Sequence, residues 1–358
     1  MITSVRIRNT SSIGDESVSF EKGGYRYLEK YVLGDRVSNP VAVYGANGSG
    51  KSSFLNAFSS LVNLLSGEID ALTGFNACLL APDDISGMEI SFVLEGRNFT
   101  YSLYEKSGSI STESLTVDDE KRLERNGSLY SFAGKEYPIE SALYPSLRDI
   151  YASGRAGIDE EKAYTFLSNI AFVGNGRNNY SVKAFRNKPA LDVLVEKSED
   201  VKKIIRGYRV FPVYDITADL SSGGRKSYYT LLETGRNVMK LPLPLISDGM
   251  MNQSFLLSVL LSLPQNGVLV IDEIDAALHP LTIMDFINAA VERNIQLIFS
   301  GHNTNVLYHL RPDNIIFADW REGYSRYRRL SDIWPNIREV NNIEKMYLAS
   351  TFDEAVRG

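Results

Sequence analysis

The chain has 358 residues, of which 44% are hydrophobic and 23% charged, with a formal net charge of −6. This composition is typical of a globular protein with a sizeable core, and it excludes wholesale disorder. The single cysteine, Cys78, excludes an intramolecular disulfide and a cysteine-based zinc site. The N-terminus lacks the apolar segment of a signal peptide, and the most apolar stretch, 255–271, is interrupted at 264–267. We therefore expect a soluble, cytoplasmic protein without a membrane partner.

The first part of the chain alternates between strand and helix patterns. Alternating apolar residues predict short strands at 2–8 and 16–20. An apolar run over 41–44 leads into a glycine-rich loop, and helical spacing of apolar residues follows over 52–65. Gly and Asn turns then separate three strand-like segments, which predict an antiparallel meander: 88–96, 98–105 and 109–117.

The second part of the chain begins with a polar region, 140–206, which we predict to be mostly helical and without a long coiled coil. A strand is expected at 208–214 and a helix at 252–263. Three near-continuous apolar runs then predict buried parallel strands: 268–271, 295–299 and 315–317.

These patterns predict an α/β fold with a mixed sheet, an antiparallel β-subdomain and a helical insertion. We expect an N-terminal lobe, the helical insertion and a C-terminal lobe, with the bounds 1–116, 117–206 and 207–358.

A complete phosphate-binding loop follows the apolar run at 41–44. Its glycines let successive backbone N–H groups surround phosphate oxygens, and the next helix directs its positive N-terminus at the anion. Lys51 is expected to contact the β- and γ-phosphates of ATP, and the Ser52 hydroxyl is expected to ligate Mg²⁺. The residues predicted to bind the nucleotide here are Gly45, Ala46, Asn47, Gly48, Ser49, Gly50, Lys51, Ser52 and Ser53.

Two carboxylates follow the apolar run at 268–271. Asp272 is expected to hold Mg²⁺ through water, and Glu273 to deprotonate or orient the attacking water. An acidic residue after a strand also occurs as the N-cap of the next helix. The intact phosphate loop in the same chain favours the catalytic interpretation.

A histidine, His302, follows the next apolar run and is expected to bond the γ-phosphate and to respond to its loss. His309 is expected on a helix surface. Ser247 and Gly249 lie in a polar turn before the helix at 252–263, and this turn alone predicts only an N-cap.

The order of these motifs resembles that of ABC-class ATPases. The segments E-I-D-A-A-L-H-P (273–280) and S-G-H-N-T-N-V-L (300–307) resemble the RecF, OLD and SMC-related branch. Three more segments resemble stand-alone bacterial ATPases of abortive-infection and RloA type, also similar to those of the Septu and PARIS antiphage systems. They are I-T-S-V-R-I-R-N-T-S-S-I (2–13), I-S-T-E-S-L (110–115) and N-N-I-E-K-M-Y-L-A-S (341–350).

The resemblance implies ATP and Mg²⁺ as cofactors and a head-to-head homodimer with two ATP molecules between the subunits. Ser247 and Gly249 would then contact the γ-phosphate of the nucleotide on the partner's Lys51. Three features depart from the transporter pattern. The signature reads S-D-G-M-M, and His279 stands at the position of the D-loop aspartate. No Q-loop glutamine follows the phosphate loop, since the glutamines of the chain are Gln253, Gln265 and Gln296.

Three functions stay open. The first is an ATP-driven switch of an antiphage defence system that controls a separately encoded effector, such as a nuclease, because the chain carries no evident nuclease motif. The second is a DNA repair or recombination ATPase. The third is a nucleotide-locked scaffold with little turnover. We favour the first. In the second, DNA phosphates would be contacted by Lys183, Arg186, Lys188, Arg326, Arg328 and Arg329.

Overall fold

A computed structural model describes most of the chain. The described residues are 1–67, 74–82, 84–175, 180–183, 213–220, 226–234, 237–242, 248–339 and 341–349.

Most of the described strands follow one another in the chain without an α-helix between them. In chain order they are β1 (Ile2–Thr10), β2 (Ile13–Ser19), β3 (Val32–Leu33), β4 (Val37–Ser38), β5 (Val41–Tyr44), β6 (Ser86–Leu94), β7 (Arg97–Lys106), β8 (Ser109–Val117), β9 (Glu120–Asn126), β10 (Leu129–Phe132), β11 (Lys135–Pro138), β12 (Ile170–Asn175), β13 (Tyr180–Lys183), β14 (Val213–Leu220), β15 (Lys226–Thr234), β16 (Asn237–Pro242), β17 (Val268–Ile271), β18 (Gln296–Ser300), β19 (Ile315–Arg321) and β20 (Tyr324–Arg329).

The helices are short apart from three that flank the central strands. In chain order they are α1 (Lys51–Ser66), α2 (Ser146–Ala152), α3 (Ile158–Ser168), α4 (Asp248–Ser262), α5 (Ile274–Ala277), α6 (Pro280–Glu292), α7 (Asn305–Tyr308), α8 (Leu330–Ile333) and α9 (Ile343–Leu348). Among the described helices, none is both long enough and apolar enough to cross a bilayer.

One mixed sheet joins fifteen of the described strands, in the order β11-β10-β9-β8-β7-β6-β1-β2-β20-β19-β5-β18-β17-β12-β13. The central strands β19, β5, β18, β17 and β12 pair in parallel. The outer strands from β1 to β11 pair in antiparallel fashion. This arrangement confirms the expected mixed sheet and places the antiparallel meander in the same sheet as the phosphate loop.

Alternation along β5 divides the core between the two faces of the sheet. Val41 and Val43 pack in the core that contains α1, while Ala42 and Tyr44 pack in the core that contains α4 and α6. Strands covered on both faces need apolar residues at successive positions, which is why the predicted runs lack polar residues. The expected strands at 268–271, 295–299 and 315–317 are confirmed as β17, β18 and the start of β19.

The prediction of a helical insertion over 117–206 is wrong in two places. Residues 120–138 form the strands β9, β10 and β11, which extend the meander. Ile170 to Val173 form the buried part of β12, which pairs with β17 in the centre of the sheet. Helices α2 and α3 are the helical part of this region, and 184–212 lie outside the described residues.

Strand β9 was not predicted from the sequence because one of its inward-facing residues is charged. Leu123 and Arg125 both point inward and are buried. The Arg125 guanidinium donates to the carbonyl oxygens of Tyr144, at 2.8 Å, and Ile110, at 3.3 Å. These acceptors compensate the buried cation, so an apolar alternation is absent although the strand is half buried.

Two other predicted elements differ in their bounds from the described ones or are only partly covered by them. The helix expected at 252–263 is α4, which begins earlier, at Asp248. The strand expected at 208–214 overlaps the start of β14, and its first residues lie outside the described ones.

Candidate functional site

The phosphate loop joins β5 to α1 through backbone conformations that favour glycine. Gly48 and Gly50 have φ angles of 79° and 100°. A Cβ atom on Gly50 would collide with the hydroxyl of Ser325 and would lie 2.7 Å from the Tyr327 Oη. The loop therefore needs glycine at Gly50 both for the left-handed backbone and for the close approach of β20.

Lys51 lies inside the curve of this loop and is only 7% exposed. Its ammonium donates to the carbonyl oxygens of Gly45 and Ala46, at 3.0 and 3.1 Å. Burial lowers the pKa of Lys51, and the carboxylates of Asp272 and Glu273 oppose this shift. The cation is thus close enough to the acidic end of β17 to feel its charge.

Hydroxyl groups from β20 and from the β1–β2 turn hold the start of α1. The Tyr327 hydroxyl donates to the carbonyl oxygen of Gly50 at 2.7 Å. The Ser12 hydroxyl donates to Ser53 Oγ at 2.8 Å and lies 2.7 Å from Ser325 Oγ. Ser53, one of the predicted nucleotide-binding residues, thus connects the helix to the β1–β2 turn, and its neighbour Ser52 is half-buried at the helix start.

Ser49 is the other polar side chain of the loop. It is buried, and its hydroxyl has no hydrogen-bond partner in the part of the chain that the structure describes. An unpaired buried hydroxyl is uncommon in proteins, and a phosphate oxygen would satisfy it. Gly48, at the tip of the loop, has no heavy atom within 4 Å of where its Cβ would lie, so this side of the loop is open.

Ser300, the last residue of β18, connects the carboxylate of Asp272, the predicted metal ligand, to the backbone of Glu273, the predicted base. The Ser300 hydroxyl donates to Oδ1 of Asp272 at 2.6 Å, and Ser300 Oγ accepts a hydrogen bond from the backbone N–H of Glu273 at 2.8 Å. Asp272 is 8% exposed, while the Glu273 side chain is 37% exposed. The Asp272 carboxylate is therefore buried and held in place by Ser300, while the Glu273 carboxylate is more exposed to solvent.

Glu273 adopts a left-handed backbone conformation, with φ 58° and ψ 62°. Its Oε1 lies 3.9 Å from Nε2 of His302. The structure thus brings together the two side chains that the sequence predicted to act on the γ-phosphate and on the attacking water.

Asp275 fixes the backbone that carries this histidine. Its Oδ2 accepts the backbone N–H groups of both His302 and Asn303, at 2.5 and 2.6 Å. The buried Tyr44 hydroxyl donates to the Asn303 carbonyl oxygen at 2.8 Å, so the phosphate-loop strand also contacts this turn. The sequence alone indicates no role for Asp275, Ser300 or Tyr44. Their residue types are common, and their roles follow only from the hydrogen-bond partners that the fold brings to them.

The oxygen and nitrogen donors of this site fit Mg²⁺ and a nucleoside triphosphate. Mg²⁺ is usually held by one or two carboxylates together with substrate phosphates and water, and Asp272 and the Ser52 hydroxyl are hard oxygen donors of this kind. The backbone N–H groups at the start of α1 and the Lys51 ammonium would face the phosphates.

The remaining predicted site residues are less completely described. Gly249 lies in the first turn of α4, and Ser247 lies outside the described residues. Gln296 is buried, and its side-chain amide exchanges hydrogen bonds with the backbone of Ile2, at 2.7 and 2.9 Å. This glutamine therefore joins β18 to β1 and does not line the nucleotide site.

Two of the arginines considered as DNA contacts have partners within the chain. Arg326 forms an ion pair with Glu16 at 2.7 Å. Arg329 is buried and donates to the carbonyl oxygens of Glu21 and Asp313. Lys183 lies in β13, and the other two candidates of that region lie outside the described residues. These contacts weaken the case for a phosphate-binding patch on β20.

Comparison with solved structures finds the same fold. A structure of the Smc head bound to the C-winged helix domain of ScpA is 15% identical, with a TM-score of 0.52, and the match covers 92% of this chain and 99% of that chain. The SMC head domain from Thermotoga maritima is 16% identical, with a TM-score of 0.47, over 92% and 98% of the two chains. The first likeness shows an ATPase-head fold of SMC type, with its mixed sheet.

A search of the curated proteins finds no match. A protein-family model does match, over residues 41–307, which is more than half of the chain and includes both the phosphate loop and His302. Its description reads "AAA domain, putative AbiEii toxin, Type IV TA system". The chain belongs to this family of P-loop ATPase domains.

Proposed function

We propose that this protein binds and hydrolyses ATP as a dimeric switch of a bacterial antiphage defence system and controls a separately encoded toxic effector. The observation that carries the hydrolytic part is the arrangement of Glu273 and His302. Their side chains approach to 3.9 Å, and Ser300 and Asp275 fix the backbone of each. This constellation lies at the ends of adjacent strands, facing the phosphate loop.

The proposed roles follow from the chemistry of each group. Lys51 and the loop N–H groups hold the β- and γ-phosphates, and Ser52 and Asp272 hold Mg²⁺. Glu273 accepts a proton from the attacking water, and its exposure leaves room for that water. His302 donates a hydrogen bond to the γ-phosphate, and it loses this partner when phosphate leaves.

The dimer is proposed to form around the nucleotide. In that arrangement Gly249, in the first turn of α4, and Ser247, which precedes this helix in the sequence, contact the γ-phosphate held by the partner subunit. The helix N-terminus there supplies partial positive charge for such a contact. ATP would then bridge the two subunits, and hydrolysis would remove the bridge.

The family description supports the proposed biological setting, because it refers to a toxin and to a type IV toxin–antitoxin system. Such systems have two components, which fits an ATPase that controls a second protein. The proposed effector is a nuclease encoded beside this chain.

The test is the solution mass of the Glu273→Gln variant with and without Mg·ATP, together with the ATPase activities of the variant and of the unmodified protein. The expected result is ATP-dependent assembly of the variant and a loss of hydrolysis of about 10²- to 10⁴-fold. Glu292→Gln, at the exposed end of α6, is the matched control and should hydrolyse normally.

Two results would contradict the proposal. Normal hydrolysis by Glu273→Gln would show that another group is the base. A mass that does not respond to Mg·ATP would exclude the switch and indicate a constitutive scaffold. The effector is tested separately, by co-purifying the protein with the products of neighbouring genes in ATP and in ADP.

A further inference from the structure

Strand β19 runs past the end of the phosphate-loop strand and reaches the side of the loop. It pairs with β5 up to the Phe317–Tyr44 pair, and the Ala318 carbonyl then packs against Gly45. Trp320 follows two residues later on the same strand.

Trp320 lies on the face of the sheet that carries the loop and α1. Ala318 and its cross-strand partner Tyr327 belong to the core on that face, where the Tyr327 ring lies 5.0 Å from that of Phe54. Side chains two residues apart on a strand share a face, so Trp320 lies on the same side as Ala318. Its own cross-strand partner is Ser325, whose hydroxyl lies against Gly50.

The position of the acidic residues indicates the direction in which a bound nucleotide runs. Strand β5 lies between β18 and β19 in the sheet. The groups that face the terminal phosphate, Glu273 and His302, follow β17 and β18, on one side of the loop. The nucleoside therefore leaves the loop on the other side, over β19 and β20.

Trp320 is 51% exposed, which is unusual for so large an apolar side chain. Leu80, which is 58% exposed, lies against Gly323 at the β19–β20 turn. We propose that the indole of Trp320 is the platform on which the base of the nucleotide stacks. This inference rests on the proposed nucleotide site and adds the residue that holds the base.

The test uses the full chain and measures three affinities for the unmodified protein, Trp320→Ala and Trp320→Phe. The probes are Mg·ATP, Mg·GTP and inorganic tripolyphosphate. Stacking of a base on an aromatic ring corresponds to about a 5- to 150-fold change in Kd. We expect Trp320→Ala to weaken the binding of both nucleotides by such a factor, because every base has a π-face. Trp320→Phe should retain most of the affinity of the unmodified protein.

Tripolyphosphate has no base, so its affinity should be the same in all three proteins. Fluorescence gives a second reading, since the chain has two tryptophans, Trp320 and Trp334. In the Trp334→Phe protein, ATP should change the remaining indole emission, and tripolyphosphate should not.

Each contrary result has a distinct meaning. An unchanged Kd for ATP in Trp320→Ala, with no change of fluorescence, would overturn the stacking proposal and leave the ATPase site intact. Weaker binding of tripolyphosphate as well would show that Trp320 supports the loop, which also overturns it. If the unmodified protein bound neither nucleotide, the proposed function itself would fail.

Discussion

The hydroxyl of Ser300 lies 2.6 Å from Oδ1 of Asp272, and both side chains are buried. A carboxylate that accepts a hydrogen bond from a fixed hydroxyl keeps its second oxygen directed elsewhere. In this site the second oxygen is the one available to a metal ion or its water ligands. The same hydroxyl orders the backbone of Glu273, so one side chain aligns the metal ligand and the proposed base.

Ser300→Ala is therefore expected to weaken the response to magnesium. Loss of a group that orients a metal ligand costs about 10- to 100-fold in metal affinity or activity. The measurement is ATPase rate against Mg²⁺ concentration at saturating ATP, and the half-maximal concentration should rise by that factor. Ser128→Ala, at an exposed turn, is the control. An unchanged magnesium curve would show that Asp272 needs no support from Ser300.

Asp275→Ala should lower kcat and leave the KM for ATP nearly unchanged. Its carboxylate holds the N–H groups of His302 and Asn303, and without it the histidine loses its fixed position. An interaction that matters only in the transition state appears in kcat. We expect a decrease of about 10- to 100-fold, since two charge-assisted hydrogen bonds are lost. Asp332→Ala, on the exposed side of α8, is the control.

Lys51→Ala should weaken Mg·ATP binding on the order of 100-fold, because it removes a charged donor to the phosphates. The exposed Lys121 supplies the matched control, Lys121→Ala. Burial lowers the pKa of Lys51 from its usual 10.5, so the unmodified protein should lose affinity at a less alkaline pH than an ordinary lysine would dictate. Calorimetric titration of ATP between neutral and alkaline pH measures both effects, and a flat pH profile would contradict the second.

Glu113→Gln should destabilise the meander and the helix beside it. The buried Glu113 carboxylate accepts hydrogen bonds from the Tyr101 hydroxyl and from the backbone N–H groups of Ser146 and Leu147 at the start of α2. A glutamine has one acceptor oxygen, so a buried donor loses its partner at a cost of about 1–3 kcal/mol. Urea unfolding measures the difference, with the exposed Glu136→Gln as control.

The burial of Glu113 also predicts that the stability of the protein depends on pH. Burial raises the pKa of Glu113 above its usual 4.5. Its contribution to stability is then fully present below the usual pKa and is lost as pH rises through the raised one. The difference in the free energy of unfolding between the unmodified protein and Glu113→Gln should therefore become smaller as the pH rises through the raised pKa. A constant difference would show that Glu113 does not titrate in this range.

The nucleotide site was predictable from sequence because its chemistry is local in the chain. Gly50 and Lys51 are adjacent, and the phosphate loop needs these residue types in this order whatever surrounds them. Asp272 and Glu273 are likewise adjacent and follow an apolar run. Glu273 approaches His302 because the strands that precede them, β17 and β18, are neighbours in the sheet.

The supporting residues were not predictable, because their roles depend on partners far away in the chain. Ser300 and Tyr327 carry common hydroxyls that gain meaning only beside Asp272 and Gly50. Strand β12 was missed for another reason. An apolar run of four residues after a polar helix fits a helix end as well as a buried strand, and only its pairing with β17 decides between them.

The left-handed backbone of Glu273 places the proposed base on a conformation that a residue with a side chain tolerates poorly. Glycine would adopt it without strain, so Glu273→Gly should fold at least as stably while lacking the base. Selection for thermal robustness alone would then act against this side chain. An engineer who stabilises this protein by relieving strained positions should therefore leave residue 273 unchanged and work on turns remote from the candidate nucleotide site.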